Sequence, residues 1–123
     1  CNRCRLLGRL GVCSWLPRSG FAWMTYRNRK LLDIAHEAPC FLRLPGCQSG
    51  VNPSVPAHSN LLRHGRGIAH RSHDVFAVPS CGTCHYQFDY GHTLSRAERE
   101  QIWQRAFEDY QLWLWETGKV RVT

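Results

Sequence analysis

Cys81, Cys84 and His85 fall in the run "SCGTCHYQFD", residues 80–89, and spell C-x-x-C-H. Two chemistries use that spacing. It is the attachment signature of a c-type haem, and it is also half of a four-ligand zinc site. A haem iron wants a second axial ligand, usually Met or His, and Met24 is the only Met, although His is available. Haem attachment also belongs to exported chains, and "RLLGRLGVCSWLP" makes a poor export signal because its apolar runs are short. Haem leaves Cys40 and Cys47 unexplained, whereas zinc uses them. C-x6-C followed by C-x2-C supplies four thiolates, enough to close a tetrahedral structural site. Each pair sits at a tight turn, which brings its two sulfurs together. Four buried free thiols are the plainer alternative, and two paired spacings weigh against it. The zinc reading leaves His85 over for other work.

Between the two cysteine pairs lie His58, His64, His70, His73 and Asp74, with Arg63, Arg66 and Arg71 among them. The whole chain is basic, with 16 Lys and Arg against 9 Asp and Glu, a net charge of +7 over 123 residues. A surplus of that sign points to a polyanionic partner, nucleic acid ahead of membrane. The length fits one domain with a small core, which a structural metal would support. Seven Cys is an odd count, unlike a disulfide framework. No stretch approaches the roughly 18 consecutive apolar residues of a spanning helix. These features read as a cytoplasmic chain with reduced or metal-bound thiols, and no membrane partner.

The elements that must position these residues are short. Residues 1–23 are rich in Arg, Leu, Cys and Gly without periodicity and read as an N-terminal extension. A natural beginning falls at Met24, and residues 24–123 read as the domain. A competing idea makes Cys1, Cys4 and Cys13 a second metal site, with His36 as fourth ligand. Residues 25–37 suit a short basic helix or arm, and "CFLRLPGC" a loop turned by Pro45 and Gly46. "GVNPSVPAHSN" reads as a turn and a short extended run, its prolines excluding helix. Residues 60–73 form a basic, glycine-punctuated loop, and "DVFAVP" a short strand. "CGTCHYQFDYG" reads as a short helix ending near Gly91, with Tyr86 and Phe88 as packing residues. Ser95 and Glu98 make a capping box. Ile102, Trp103, Ala106, Phe107, Tyr110, Trp113 and Leu114 then recur at helical spacing up to the stop at Gly118. That aromatic stripe should face the core, and "KVRVT" adds a short final strand.

The order of motifs carries a resemblance. A Cys pair ending in "PGC", a strand bearing "VPAHSN", a basic glycine loop, "HDVFAVP" and "CGTCHYQFD" resemble the HNH, or ββα-metal, endonuclease superfamily. More narrowly, the chain resembles small phage- and prophage-encoded HNH-type proteins with zinc-knuckle cysteines, a likeness that covers residues 24–123. It implies an α+β domain: a ββα-metal core closed by structural zinc on Cys40, Cys47, Cys81 and Cys84, followed by a long amphipathic helix. It implies that His58 is a general base for phosphodiester hydrolysis of DNA, a role suited to a side chain that titrates near neutrality. His85 would bind a catalytic divalent metal such as Mg²⁺ or Mn²⁺. His73 or Asp74 stands near the family's central Asn, which orients the base, and both remain open. Arg63, Arg66 and Arg71 would grip backbone phosphates.

One position departs from the family. Many members place Asp or His directly before the base as second metal ligand, and here that residue is Ala57. Asp89, one helical turn after His85, is the first substitute; Asp74, His64 and His73 are others. Should none reach, the chain reads instead as a non-catalytic zinc-knuckle module that binds DNA or a recombination or replication protein. An exposed part of the aromatic stripe is a candidate dimer contact.

Overall fold

The structure, a computed structural model, describes residues 25–51 and 53–123. The N-terminal extension, Met24 and the Cys1, Cys4 and Cys13 set lie outside the described residues. Among the described residues the fold is mixed α+β, with three α-helices and one two-stranded antiparallel sheet.

Helix α1 spans Arg29–Glu37. Asn28 caps it, its side chain accepting from Leu31 N–H at 3.3 Å. It ends at Ala38 in extended backbone. Pro39 follows, and a residue before proline is disfavoured in helical conformation. The strands are β1, Val55–His58, and β2, Ala77–Ser80. In their register Pro56 faces Pro79 and His58 faces Ala77. Ser59 N–H donates to Phe76 O at 2.9 Å just beyond the paired strands. Counting back in twos from that bond, the facing prolines occupy a non-hydrogen-bonded pair. Neither missing N–H is therefore needed inside the ladder. On its other side Pro79 O accepts from Phe41 N–H at 2.9 Å, which lays the Cys40–Leu42 segment along β2.

The connector from β1 to β2 is long and basic. Gly65 turns it with φ +88, and the His73 ring stands 2.7 Å from where a Cβ would sit. Two reasons therefore favour glycine there. "DVFAVP" is not one strand. Asp74–Phe76 forms a single 3-10 turn, and pairing starts only at Ala77. Asp74 is tied by both its backbone and its carboxylate to residues 26–28, so the chain bends beneath the start of α1 before joining the sheet.

Helix α2, Gly82–Tyr90, follows β2 at once, with Cys81 as its N-cap. Phe88 packs in the core as expected, but Tyr86 does not: it is 66% exposed, like Tyr90. Helix α3, Arg96–Glu116, starts at the Ser95/Glu98 capping box. It buries Trp103, Ala106, Tyr110 and Leu114, one face at spacings of three and four. Trp103 Nε1 donates to Ala57 O at 3.3 Å, and Tyr110 packs on Phe41 with ring centroids 5.5 Å apart. Helices α1 and α3 both pack against the sheet, and α2 packs against β1. After α3 no strand forms. Gly118 has φ +69, Gly118 N–H donates to Trp115 O and Lys119 N–H to Leu114 O. That is a Schellman stop, which folds Val120 back onto the core.

Candidate active site and metal centre

Cys40 and Cys47 come from the loop after α1, and Cys81 and Cys84 from the first turn of α2. Their four Sγ atoms all lie within 4.8 Å of one another, with Cys47 and Cys81 3.9 Å apart. Sulfurs at about 2.3 Å from a tetrahedral Zn²⁺ stand about 3.8 Å from each other. The four cysteines therefore fit a metal ion such as zinc, and none is in a disulfide. Cys81 is already suited to be a thiolate. Burial alone would raise it, but the N–H groups of Cys84 and Gln48, each 3.4 Å away, and the neighbouring thiols outweigh burial and bring it to about 7. A helix N-terminus favours the same charge. Cys84 goes the other way: burial pushes it well up, and Cys81 adds to the effect.

The second constellation is centred on Asp74. Its Oδ1 lies 3.0 Å from His58 Nε2 and 3.1 Å from an Arg27 guanidinium nitrogen, and its Oδ2 accepts from Asn28 N–H at 2.7 Å. The Asp74 side chain is 2% exposed and that of His58 is 7% exposed. Burial raises the carboxyl, yet the bonds from His58, Asn28 and Arg27 together hold it below the ordinary carboxylate range. An ionised carboxylate only accepts, so Nε2–H of His58 donates. In the neutral ring Nδ1 is then the basic nitrogen. Ser72 Oγ is the one buried side-chain polar atom without a partner among the described residues, so neither ring nitrogen is stranded. Of the two residues left open by sequence, Asp74 is the one that touches His58. His73 instead accepts from Tyr26 N–H on Nδ1 at 2.7 Å.

His85 and Asp89 face each other along α2, with Nε2 to Oδ2 at 3.4 Å and both about one-third exposed. No third His, Cys, Asp or Glu joins them among the described residues. His64 is engaged elsewhere, donating to or accepting from Ser59 Oγ at 2.6 Å and stacked on Phe76 at 4.1 Å. Burial lowers its pKa, and the charge of Arg63 adds to this. Ala57 is buried in the core, so a carboxylate at that position would not share the face of the strand that His58 uses. His36 bonds Ser54 O at 2.7 Å.

Arg63, Arg66 and Arg71 are exposed on the connector, and Arg63 pairs with Glu100 at 3.2 Å. Arg27 is a site residue that sequence reasoning did not single out. Besides Asp74 it reaches Ser72 O at 2.8 Å and Arg71 O at 3.2 Å. It stands 47 residues from Asp74, and no local spacing signals such a contact. No helix among the described residues is long and apolar enough to cross a membrane. No known protein family, curated protein or solved structure matches this chain.

Proposed function

We propose that the protein is a metal-dependent DNA endonuclease built on a ββα-metal core, with β1, β2 and α2 as that core and zinc on the four cysteines. The observation that carries the reading is the buried His58–Asp74 pair. A histidine whose Nε2–H is held by an ionised carboxylate presents a basic Nδ1 in a fixed direction, which is what a general base requires. Asp74 is itself held by Arg27 and Asn28, so the ring cannot swing. His58 takes a proton from the water that attacks phosphorus, and the 3′ oxygen leaves. His85 and Asp89 are the residues that would hold a divalent cation, their facing atoms close to the roughly 3 Å between adjacent ligands of a small octahedral ion. When bound, such an ion supplies positive charge for the phosphate oxygens. The exposed Arg63, Arg66 and Arg71 grip flanking phosphates. The order of motifs, similar to that of HNH endonucleases, supports the same reading.

The low exposure of His58 favours a second reading, in which the His58–Asp74–Arg27 network is purely structural and the zinc module binds DNA without cutting it. Nicking of supercoiled plasmid in Mg²⁺ or Mn²⁺ separates the two. Under the nuclease reading the parent nicks, and His58→Ala loses about 10²–10⁴-fold in rate while keeping zinc and DNA binding. A parent that never nicks, or a His58→Ala variant that nicks equally well, rejects it.

A further inference from the structure

Six of the eight side chains after Gly82 in α2 are at least partly exposed, and two of them stand out. Tyr86 and Tyr90 lie one turn apart, each 66% exposed, with ring centroids 5.4 Å apart and planes tilted by 39°. Phe88 and Cys84, on the other side of the helix, are 4% and 0% exposed and anchor it to the core. The tyrosines form a row along α2 beside the row of His85 and Asp89, since successive residues step about 100° around a helix. We propose that Tyr86 and Tyr90 are a base-stacking platform and that the protein engages single-stranded DNA. The inference rests on the proposed function for the identity of the ligand as DNA, and adds the form of that DNA.

The surroundings of the two rings favour bases over an apolar protein partner. A docking patch for such a partner needs contiguous apolar area. Here the neighbouring partly exposed positions of α2 are Thr83, His85, Gln87 and Asp89, so the rings are isolated π surfaces among polar groups. An unpaired base needs only a π-face to stack on and polar surroundings for its sugar and phosphate. Bases within a duplex are already stacked on each other and offer no such face. The charge agrees, since the chain carries +7 and the β1–β2 connector exposes Arg63, Arg66 and Arg71. His85 is adjacent to Tyr86 on α2, so a strand whose base rests on Tyr86 has the candidate metal pair within reach.

The test is fluorescence anisotropy with labelled oligo-thymidylate and with a labelled duplex of equal length. It uses the zinc-loaded full chain without added Mg²⁺ or Mn²⁺, so that no strand is cut. Zinc content and circular dichroism check that each variant is folded. Tyr86→Ala and Tyr90→Ala should each weaken single-strand binding by about fivefold or more, the lower end of what stacking supplies per base. Tyr86→Phe and Tyr90→Phe should retain it, and duplex binding should be unchanged throughout. Single-strand binding that the Ala variants leave intact overturns the inference. So does equal loss on both DNA forms, or failure of the parent to bind oligo-thymidylate. Plasmid nicking is scored separately. A chain that nicks, but whose Ala variants bind single strands normally, loses the platform and keeps the nuclease. A chain that binds single strands through the tyrosines and never nicks keeps the platform and loses the nuclease.

Discussion

Replacing Asp74 with Ala should cost far more than its single charge suggests. The carboxylate accepts three hydrogen bonds, at 2.7, 3.0 and 3.1 Å, with a side chain 2% exposed. Arg27 is 40% exposed and keeps two backbone carbonyls, so its loss is small. Asn28 N–H and His58 Nε2–H are different, because the substitution strands both. A stranded buried donor costs about 1–3 kcal/mol, which puts the variant near 4 kcal/mol less stable. For a domain of this size that lowers Tm by more than about 10 °C. Asp33 is the control: it pairs with Arg29 at 3.0 Å but is 54% exposed. Asp33→Ala should cost less than about 1 kcal/mol. Thermal unfolding followed by circular dichroism in excess zinc reads both. The pH dependence follows from the depressed Asp74 carboxyl. A group held below its unfolded pKa contributes fully above that value, about 3.9 for Asp, and loses its contribution as pH falls through the folded value. Parent stability should therefore fall in acid below about pH 4, and Asp74→Asn should lack that component. If Asp74→Ala melts within a few degrees of Asp33→Ala, the buried network does not anchor the fold.

Further outcomes concern the cysteine cluster and the start of α3. Elemental analysis should find one zinc per chain and no iron; chelation should then lower Tm sharply, since metal held by a folded site is folding free energy. Cys84→Ser, at one of the three buried cysteines, should abolish zinc retention on gel filtration. Ser95→Ala removes the hydroxyl that accepts from Glu98 N–H at 3.2 Å and leaves only the reciprocal bond from the residue 95 N–H to the Glu98 carboxylate. It should cost about 1 kcal/mol in urea unfolding, without loss of zinc.

The long helix was legible because its signals are local: a capping box, apolar spacing and a terminal glycine all lie within one element. The cysteine cluster was legible because two tight pairs prefigure a four-thiol site. What escaped is non-local. Asp74 could not be separated from His73 because they are adjacent, and only the bend under α1 decides which of them meets His58. Arg27 looked like part of a basic arm until its three acceptors were assembled from residues 71–74. "KVRVT" has the β-branched alternation of a strand but finds no partner edge, and the Schellman stop spends its amides on α3. Tyr86 has the composition of a core residue; the helix face that the cysteines turn inward leaves it outside.

The placement of the cysteines has a consequence for how the chain finds its fold. Cys47 precedes β1 and Cys81 immediately follows β2, 34 residues later. The two strands and their basic connector thus form a single loop whose ends a metal ion on the four cysteines would tie together. Strand pairing across that connector is otherwise a search whose entropy grows with loop length, though only by about 0.6 kcal/mol per doubling. With those ends joined, the search for the register is shorter and depends less on the connector itself. Exposed connector positions such as Leu62 and Ile68 can then change while β1 still pairs with β2, whereas Gly65, Ser72 and His73 stay tied to the fold.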